Sequence, residues 1–351
     1  MDQQPSRLRV PLVLFLLVLI SVYLILLGSH HAKSGSFIAI THTFDIPRPM
    51  SFMPSARHAD DLDIALAKAA TEFKTVILTV VNKAYVEGDK AMLDIFLDGF
   101  WEGEDTRSLV DHLLVVAIDQ TAYERCRFRR LHCYKLKTDG VDFVGEKMYM
   151  SEDFIKMMWQ RTLFLGTVLK RGYNFIFTDT DVLWLRNPFP LLHQNDNLDL
   201  QISVDKFNHV NNQLSEKDQL INTGFYMIRS SNKTITLFDE WYARKDTSIG
   251  MKEQDVLIEL VKQGAFQRLG LGVRFLDTVF FSGICEDSSD VRAVVTVHAN
   301  CCRSIKAKEE DLTKIIHDWQ RFKASATDPT LQFAWSNHSA CIESWIEPPP
   351  S

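Results

Sequence analysis

The chain has 351 residues, 46% hydrophobic and 24% charged, with a formal net charge of −6 at pH 7. That length holds one large α/β domain or two smaller ones. Lys and Arg are dispersed along it rather than gathered into one basic stretch, which argues against nucleic acid as a partner.

In chain order, residues 1–9 carry Arg7 and Arg9 and read as a cytosolic tail. Residues 10–27 then form an apolar run, Val10 to Leu27, broken by Pro11, Ser21 and Tyr23. At about 1.5 Å per residue it spans about 27 Å as a helix, enough for the thin early secretory bilayer. The first base after it is Lys33, so a signal anchor in this run would leave the rest of the chain lumenal. The competing reading is a cleaved signal peptide, with Gly28-Ser29 a poor cleavage site. Residues 28–59 show no periodicity and read as a stem. A lumenal location makes Asn232-Lys233-Thr234 and Asn337-His338-Ser339 usable N-glycosylation sequons. It also makes the six cysteines disulfide candidates, Cys126 with Cys133 and Cys285 with Cys301 or Cys302. Zinc is the weaker alternative, since there is no CxxC pair.

From Asp60 the pattern alternates. A helix to about Phe73 precedes a strand Thr75 to Val81, and a helix from about Asp89 to Trp101 precedes a strand His112 to Ile118. These strands are continuous apolar runs, which implies a parallel sheet buried on both faces, a doubly wound α/β domain. Ser151 caps a helix from about Glu152 to Arg171 that ends at Gly172 and delivers the chain to the strand Tyr173 to Thr178. A turn at Asn222-Thr223-Gly224 leads into a strand Phe225 to Ile228, and a late strand Ala293 to Val297 ends at His298. The catalytic body is expected over residues 60–323, and residues 324–351 form a C-terminal extension with a Pro-rich end.

Asp179 and Asp181 stand one residue apart directly after an apolar strand. Two unpaired carboxylates there cannot both be core, because each costs several kcal/mol to bury; they need a cation. A divalent metal carrying a diphosphate satisfies them, and Mn²⁺ or Mg²⁺ takes such hard ligands in octahedral geometry. A solvated loop pair or a cap is the plainer reading. Ligands in open α/β sheets sit beyond strand carboxyl ends, so Asn82, Asp119, Asp179 and Asp181 are expected on one rim. His298 is a candidate further ligand, and Lys306 and Lys308 are candidates to neutralise phosphate.

The stretches HLLVVAIDQTAYERC, GYNFIFTDTDVLWLRNPF, QLINTGFYMIRSS, KEQDVLIEL, RFLDTVFFSGIC and VHANCCRSIKAK resemble successive motifs of the plant nucleotide-diphospho-sugar transferase family. This is glycosyltransferase family 77, which includes rhamnogalacturonan xylosyltransferases and extensin arabinosyltransferases. The resemblance covers about Thr71 to Lys323. It implies a GT-A fold with a mixed sheet, a single-pass type II protein of the Golgi membrane, a UDP-sugar donor, a glycan or glycoprotein acceptor of the cell wall, Mn²⁺ and retention of configuration. Carried over by position, Asp179, Asp181 and His298 match metal ligands, Asp119 matches a nucleoside contact, and Arg161 a diphosphate or sugar contact. Trp159 lies in the same helix as Arg161. Asn82, Asn222 and Gly224 fall on the donor side, and Gln254 with Asp255 on the sugar face. Asp255 would be a covalent nucleophile or would stabilise an oxocarbenium-like state. The plain alternatives are an N-cap for Asp119, an exposed helical Arg161, and a helix-dipole partner for Asp255. Lys306 departs from the family's terminal motif, standing eight residues after His298 rather than about six.

Two rivals remain at this level. Asp179-Thr180-Asp181-Val182, with Asp287 and Asp290, mimics a haloacid dehalogenase-type phosphohydrolase in which Asp179 is nucleophile and Asp181 acid/base. The other rival is a non-catalytic lumenal scaffold or lectin on the same fold.

Overall fold

The computed structural model describes residues 59–138, 143–192, 197–207, 219–325 and 333–346. The apolar run at 10–27 and nearly all of the stem lie outside them. Among the described residues no helix is long and apolar enough to cross a membrane.

The elements are α1 (Asp61–Ala69), β1 (Thr75–Val81), α2 (Met92–Glu102), β2 (Leu113–Ala117), α3 (Gln120–Phe128), β3 (His132–Lys135), α4 (Glu152–Lys170), β4 (Asn174–Thr178), β5 (Val182–Trp184) and β6 (Leu200–Val204). After these come β7 (Ile221–Ile228), α5 (Asn232–Ala243), α6 (Glu253–Lys262), α7 (Ala265–Leu269), β8 (Val273–Leu276), β9 (Phe281–Gly283), β10 (Thr296–His298), α8 (Ile305–Ser325) and α9 (Ser339–Glu343). A seven-stranded sheet runs in the order β3-β2-β1-β4-β7-β6-β8, and β5-β10-β9 form a second sheet. The main sheet is mixed: β7 is antiparallel to both β4 and β6, whereas the remaining neighbours are parallel.

Successive strand side chains point to opposite faces, so an apolar run buried on both sides feeds two cores. In β1, Val76 and Leu78 join a core built by α1, α4, α5 and α6, while Ile77 and Val81 join one built by α2 and α3. β4 divides likewise, with Phe175 and Phe177 on the first side and Ile176 on the second. A third core packs β5 and β10 against α8 and the start of α2 through Met92, Ile95, Leu183, Val297 and Trp319.

Several expected boundaries move. α1 stops at Ala69 rather than Phe73, because Ala70 is extended at φ −65°, ψ 142° and its N–H closes the last turn on Leu66. The second helix starts at Met92, not Asp89. Asn222-Thr223-Gly224 is not a turn but the first part of β7, eight residues long and buried throughout.

All six cysteines pair, as Cys126–Cys133, Cys285–Cys301 and Cys302–Cys341. None is left for zinc. The last disulfide ties part of the expected C-terminal extension to the body, and two buried carboxylates reinforce it. Asp311 accepts the Cys341 N–H at 2.8 Å and Asp318 accepts the Ser336 N–H at 2.6 Å.

In the same segment His338 Nε2 lies 2.9 Å from Asp287 Oδ1. Burial alone would lower the imidazole pKa, but Asp287 outweighs it and the net shift is upward from 6.5. A raised folded-state pKa stabilises fully below pH 6.5 and ceases to do so as pH climbs through the raised value. Asp287→Asn should therefore lower the melting temperature by about 1–2 °C near pH 5.5 and by less at pH 9. An equal loss at both pH values in thermal melts would contradict this account.

Candidate functional site

The carboxyl ends of β1 and β4 meet the start of β7 at one rim. β7 runs opposite to β4, so its first residues, not its last, lie beside the end of β4. Thr178 is opposite Phe225, and the Asp179 N–H donates to the Gly224 carbonyl at 2.7 Å. The chain then turns through Thr180 and Asp181 into β5. There the antiparallel register of β5 and β10 sets Val182 opposite His298, and the Ala299 N–H donates to the Asp181 carbonyl at 3.0 Å. Residues 117 positions apart in sequence are thus fixed together by two backbone ladders.

One carboxylate oxygen each from Asp179 and Asp181 and a ring nitrogen of His298 lie within 4.8 Å of one another. Beside them Gly224 leaves room that no other residue would: a Cβ there would sit 2.3 Å from His298 Cε1 and 2.8 Å from Asp179 Oδ2. Two carboxylates and an imidazole in such a space are a fitting donor set for one hard divalent cation.

Protein groups already answer these charges. Lys308 Nζ lies 2.7 Å and His298 Nε2 3.3 Å from Asp181. Arg161, stacked over the Phe177 ring at 4.7 Å, reaches Asp179 at 2.7 Å and Glu253 at 2.6 Å. Burial opposes ionisation of Asp181, but Lys308 and His298 prevail and hold its carboxyl well below the usual carboxylate range. For Asp179 burial wins over Arg161, with help from the like charge of Asp181, and the shift is upward. Burial would depress the His298 and Lys308 values, yet Asp181 lifts both.

The cleft around this cluster is lined by many of the expected residues, among them Asn82, Arg161, Asp179, Asp181, Asn222, Gly224, Gln254 and His298. Several of them are spent on the protein itself. Asn82 donates to the carbonyls of Phe143 and Gly145, each at 2.8 Å, and accepts from Ala84, which fixes the loop before α4. Asn222 donates to Asp205 and accepts from Gly224, both at 2.7 Å. Asp205 also takes Asn300 at 2.8 Å, so one carboxylate braces two cleft residues. Arg161 is no exposed helical arginine but a buried bridge between two acids.

Three of the expected residues stand outside the cleft lining. Asp119 does not line the cleft; its two oxygens accept from Ala122 and Lys83, so it caps α3 and ties that helix to the turn after β1. Asp255 does not line it either, because one residue along a helix turns the side chain by about 100°. The neighbours Glu253 and Gln254 face inward instead. Lys306 is exposed and outside the lining, whereas Lys308, half a turn further along α8, is inside it. Trp159 is core, its indole N–H donating to Met251 at 3.3 Å.

Two residues were not singled out from sequence. Glu253 is 2% exposed; its Oε1 takes Arg161 and the Thr223 hydroxyl, while its buried Oε2 has no partner. Its signal was present in KEQD, one position before the pair chosen. Tyr85, at the end of the turn after β1, lines the cleft, and burial pushes its phenol up to about 12 against the pull of Lys308. No spacing rule marks it. The dehalogenase mimic fails on position, since Asp287 is held by His338, Asp290 caps the Arg292 N–H at 2.9 Å, and neither lines the cleft.

The rim of this α/β body gathers two acids, a histidine, a lysine from α8 and a glycine gap, a donor set that could hold one divalent cation beside a charged ligand. The family model described as nucleotide-diphospho-sugar transferase matches residues 108–312. The Arabidopsis thaliana protein At1g28695 is 56% identical over 291 residues, 82% of this chain and 84% of that one. The beta-arabinofuranosyltransferase RAY1 of the same plant is 28% identical over 258 residues, 69% of this chain and 46% of that one. Among solved structures, the galactosyltransferase LgtC with donor and acceptor sugar analogs aligns at TM-score 0.42 and 15% identity, over 73% of this chain and 96% of that one. The chain belongs to the nucleotide-diphospho-sugar transferase family and is thereby a glycosyltransferase.

The glycine gap makes a steric prediction. Gly224→Ala should force His298 and Asp179 apart at a cost of about 1–3 kcal/mol and weaken Mn²⁺ binding at least tenfold in a folded protein. Unchanged Mn²⁺ affinity by titration calorimetry would show that the gap does not serve the metal cluster.

Proposed function

We propose that the protein is a metal-dependent, retaining GT-A glycosyltransferase that moves a pentose from a UDP-sugar to a cell-wall polysaccharide or glycoprotein. The observation that carries the metal dependence is the Asp179, Asp181 and His298 cluster with its glycine gap. Those three residues would hold Mn²⁺ or Mg²⁺, which when bound stabilises negative charge on the departing diphosphate. Lys308 adds a second cation on the same side and takes over the phosphate role expected of Lys306. The pentose and the plant acceptor follow the family resemblance and the printed activity of RAY1.

At the sugar face, Glu253 and Gln254 replace Asp255. Gln254 Oε1 accepts the Thr223 N–H at 3.1 Å, which leaves its amide N–H₂ for sugar hydroxyls. Glu253 is tied to Arg161 and Thr223 and its second oxygen is buried, so it suits positioning Arg161 and Thr223 better than attacking the sugar. Glu146, the further carboxylate of the lining outside the metal cluster, is exposed and accepts the Ile305 N–H at 3.0 Å, and we favour acceptor attack from the leaving-group side, the hydroxyl proton passing to the departing phosphate oxygen.

We also propose that residues 10–27 anchor the protein in the Golgi membrane with its catalytic body lumenal. The three disulfides support an oxidising compartment. Asn232 and Asn337 are both exposed, as glycan acceptors must be.

Donor hydrolysis screened over a panel of nucleotide sugars tests the reading. One donor should turn over with Mn²⁺, not with EDTA, and not in Asp181→Ala; no turnover and no metal-dependent nucleotide binding would favour the scaffold or lectin alternative. Against that donor, Lys308→Gln should lower kcat about 100-fold or more, as loss of a positioned charge-stabilising group does. Lys306→Gln should stay within about twofold, and the reverse order would restore Lys306 to the site.

A further inference from the structure

A second recess lies at the β3 edge of the main sheet, between α1 and α3. Lys68, Arg127, Arg130 and Lys135 line it together with Tyr123 and Tyr134. It shares no residue with the cleft at the ends of β1 and β4.

Its charge is unbalanced in a chain whose net charge is −6. The neighbouring Arg125 and Arg129 are consumed by Asp94. Among the described residues no acid pairs with Lys68, Arg127 or Arg130, and Lys135 donates only to Gln120 at 2.6 Å. Asp61 is the one acid in the lining. The arginines are also held in place: the Cys126–Cys133 disulfide closes the loop that carries them, and Arg130 sits in the left-handed region at φ 58°, a costly conformation for that residue.

We propose that this recess is an exosite for a carboxylated glycan, a stretch of uronate-bearing polysaccharide. Guanidinium groups take carboxylates in a two-point grip, and Arg127, lying over the Tyr123 ring at 6.0 Å, is already steadied for it. The concave form between two helices suits a chain rather than a flat bilayer. The choice of a sugar polymer rests on the glycosyltransferase reading of the distant cleft. Bound here, an acidic polymer would be retained near the cleft without occupying it, raising the local concentration of its other segments.

Full-length protein in nonionic detergent, with EDTA present and no donor, should bind de-esterified homogalacturonan oligomers in a thermophoresis titration. Binding should weaken steeply between 50 and 200 mM NaCl, roughly as screened charge contacts do, and should be absent for the fully methyl-esterified oligomers. The combined Lys68→Glu, Arg127→Glu and Arg130→Asn variant should bind about tenfold or more weakly, asparagine being chosen because it tolerates the left-handed conformation. Its donor hydrolysis should match wild type, which separates failure of this site from failure of the cleft. No binding by wild type, equal binding of the esterified oligomers, or an unaltered variant overturns the proposal. Binding to phosphatidylserine-rich mixed micelles but not to the oligomers overturns it in favour of a membrane surface.

Discussion

Two carboxylates one residue apart at the end of a buried strand repel each other and lose their hydration, and much of this molecule's polar architecture answers that problem. Arg161 neutralises one side and Lys308 the other, with His298 3.3 Å from the same carboxylate as Lys308. Arg161 needs Glu253 as its second partner, and Glu253 needs the Thr223 hydroxyl. Removing one member of such a buried pair typically costs about 3–5 kcal/mol, because the remaining charge is left alone in a poor solvent. The site is therefore tied to the stability of the sheet that bears it. The proposed diphosphate and metal would suit this frame because together they would supply both signs of charge at once.

The frame has two independent parts. One is the main sheet, where the reversed direction of β7 brings its beginning, with Thr223 and Gly224, against the end of β4. The other is the small sheet, where β10 delivers His298 and the chain beyond it delivers Lys308 on α8. The second part is stapled by Cys285–Cys301 and Cys302–Cys341, whose adjacent members Cys301 and Cys302 stand between the cleft-lining residues Asn300 and Arg303. Covalent closure restricts the unfolded chain where the local strands are only three residues long and contribute few ladder bonds of their own.

Glu253, Gln254 and Asp255 show how finely position decides role. All three are polar, adjacent and early in α6, yet only the first two face the cleft. The same helical geometry separates Lys306 from Lys308 on α8. In the edge recess, folding gathers Lys68 from one helix, Arg127 from another and Lys135 from a strand, so residues dispersed in sequence become a local excess of positive charge.

By itself the sequence determined the α/β class, the early strands β1, β2 and β4, the helix α4 with its Ser151 cap, and the pair Asp179 and Asp181. Apolar runs, caps and adjacent acids are local signals, and local signals survive in one dimension. The ordered motifs also carried the family. Tertiary structure alone decided the direction of β7, the partner of Cys302, the turning of Asp255 and Lys306 away from the cleft, and the use of Asp119 as a cap. Strand direction, helix rotation about the core and long-range pairing depend on contacts between residues far apart in the chain. The reading at Asn222-Thr223-Gly224 shows the reason plainly: a glycine chosen for its close approach to His298 looks, without its neighbours, like a turn.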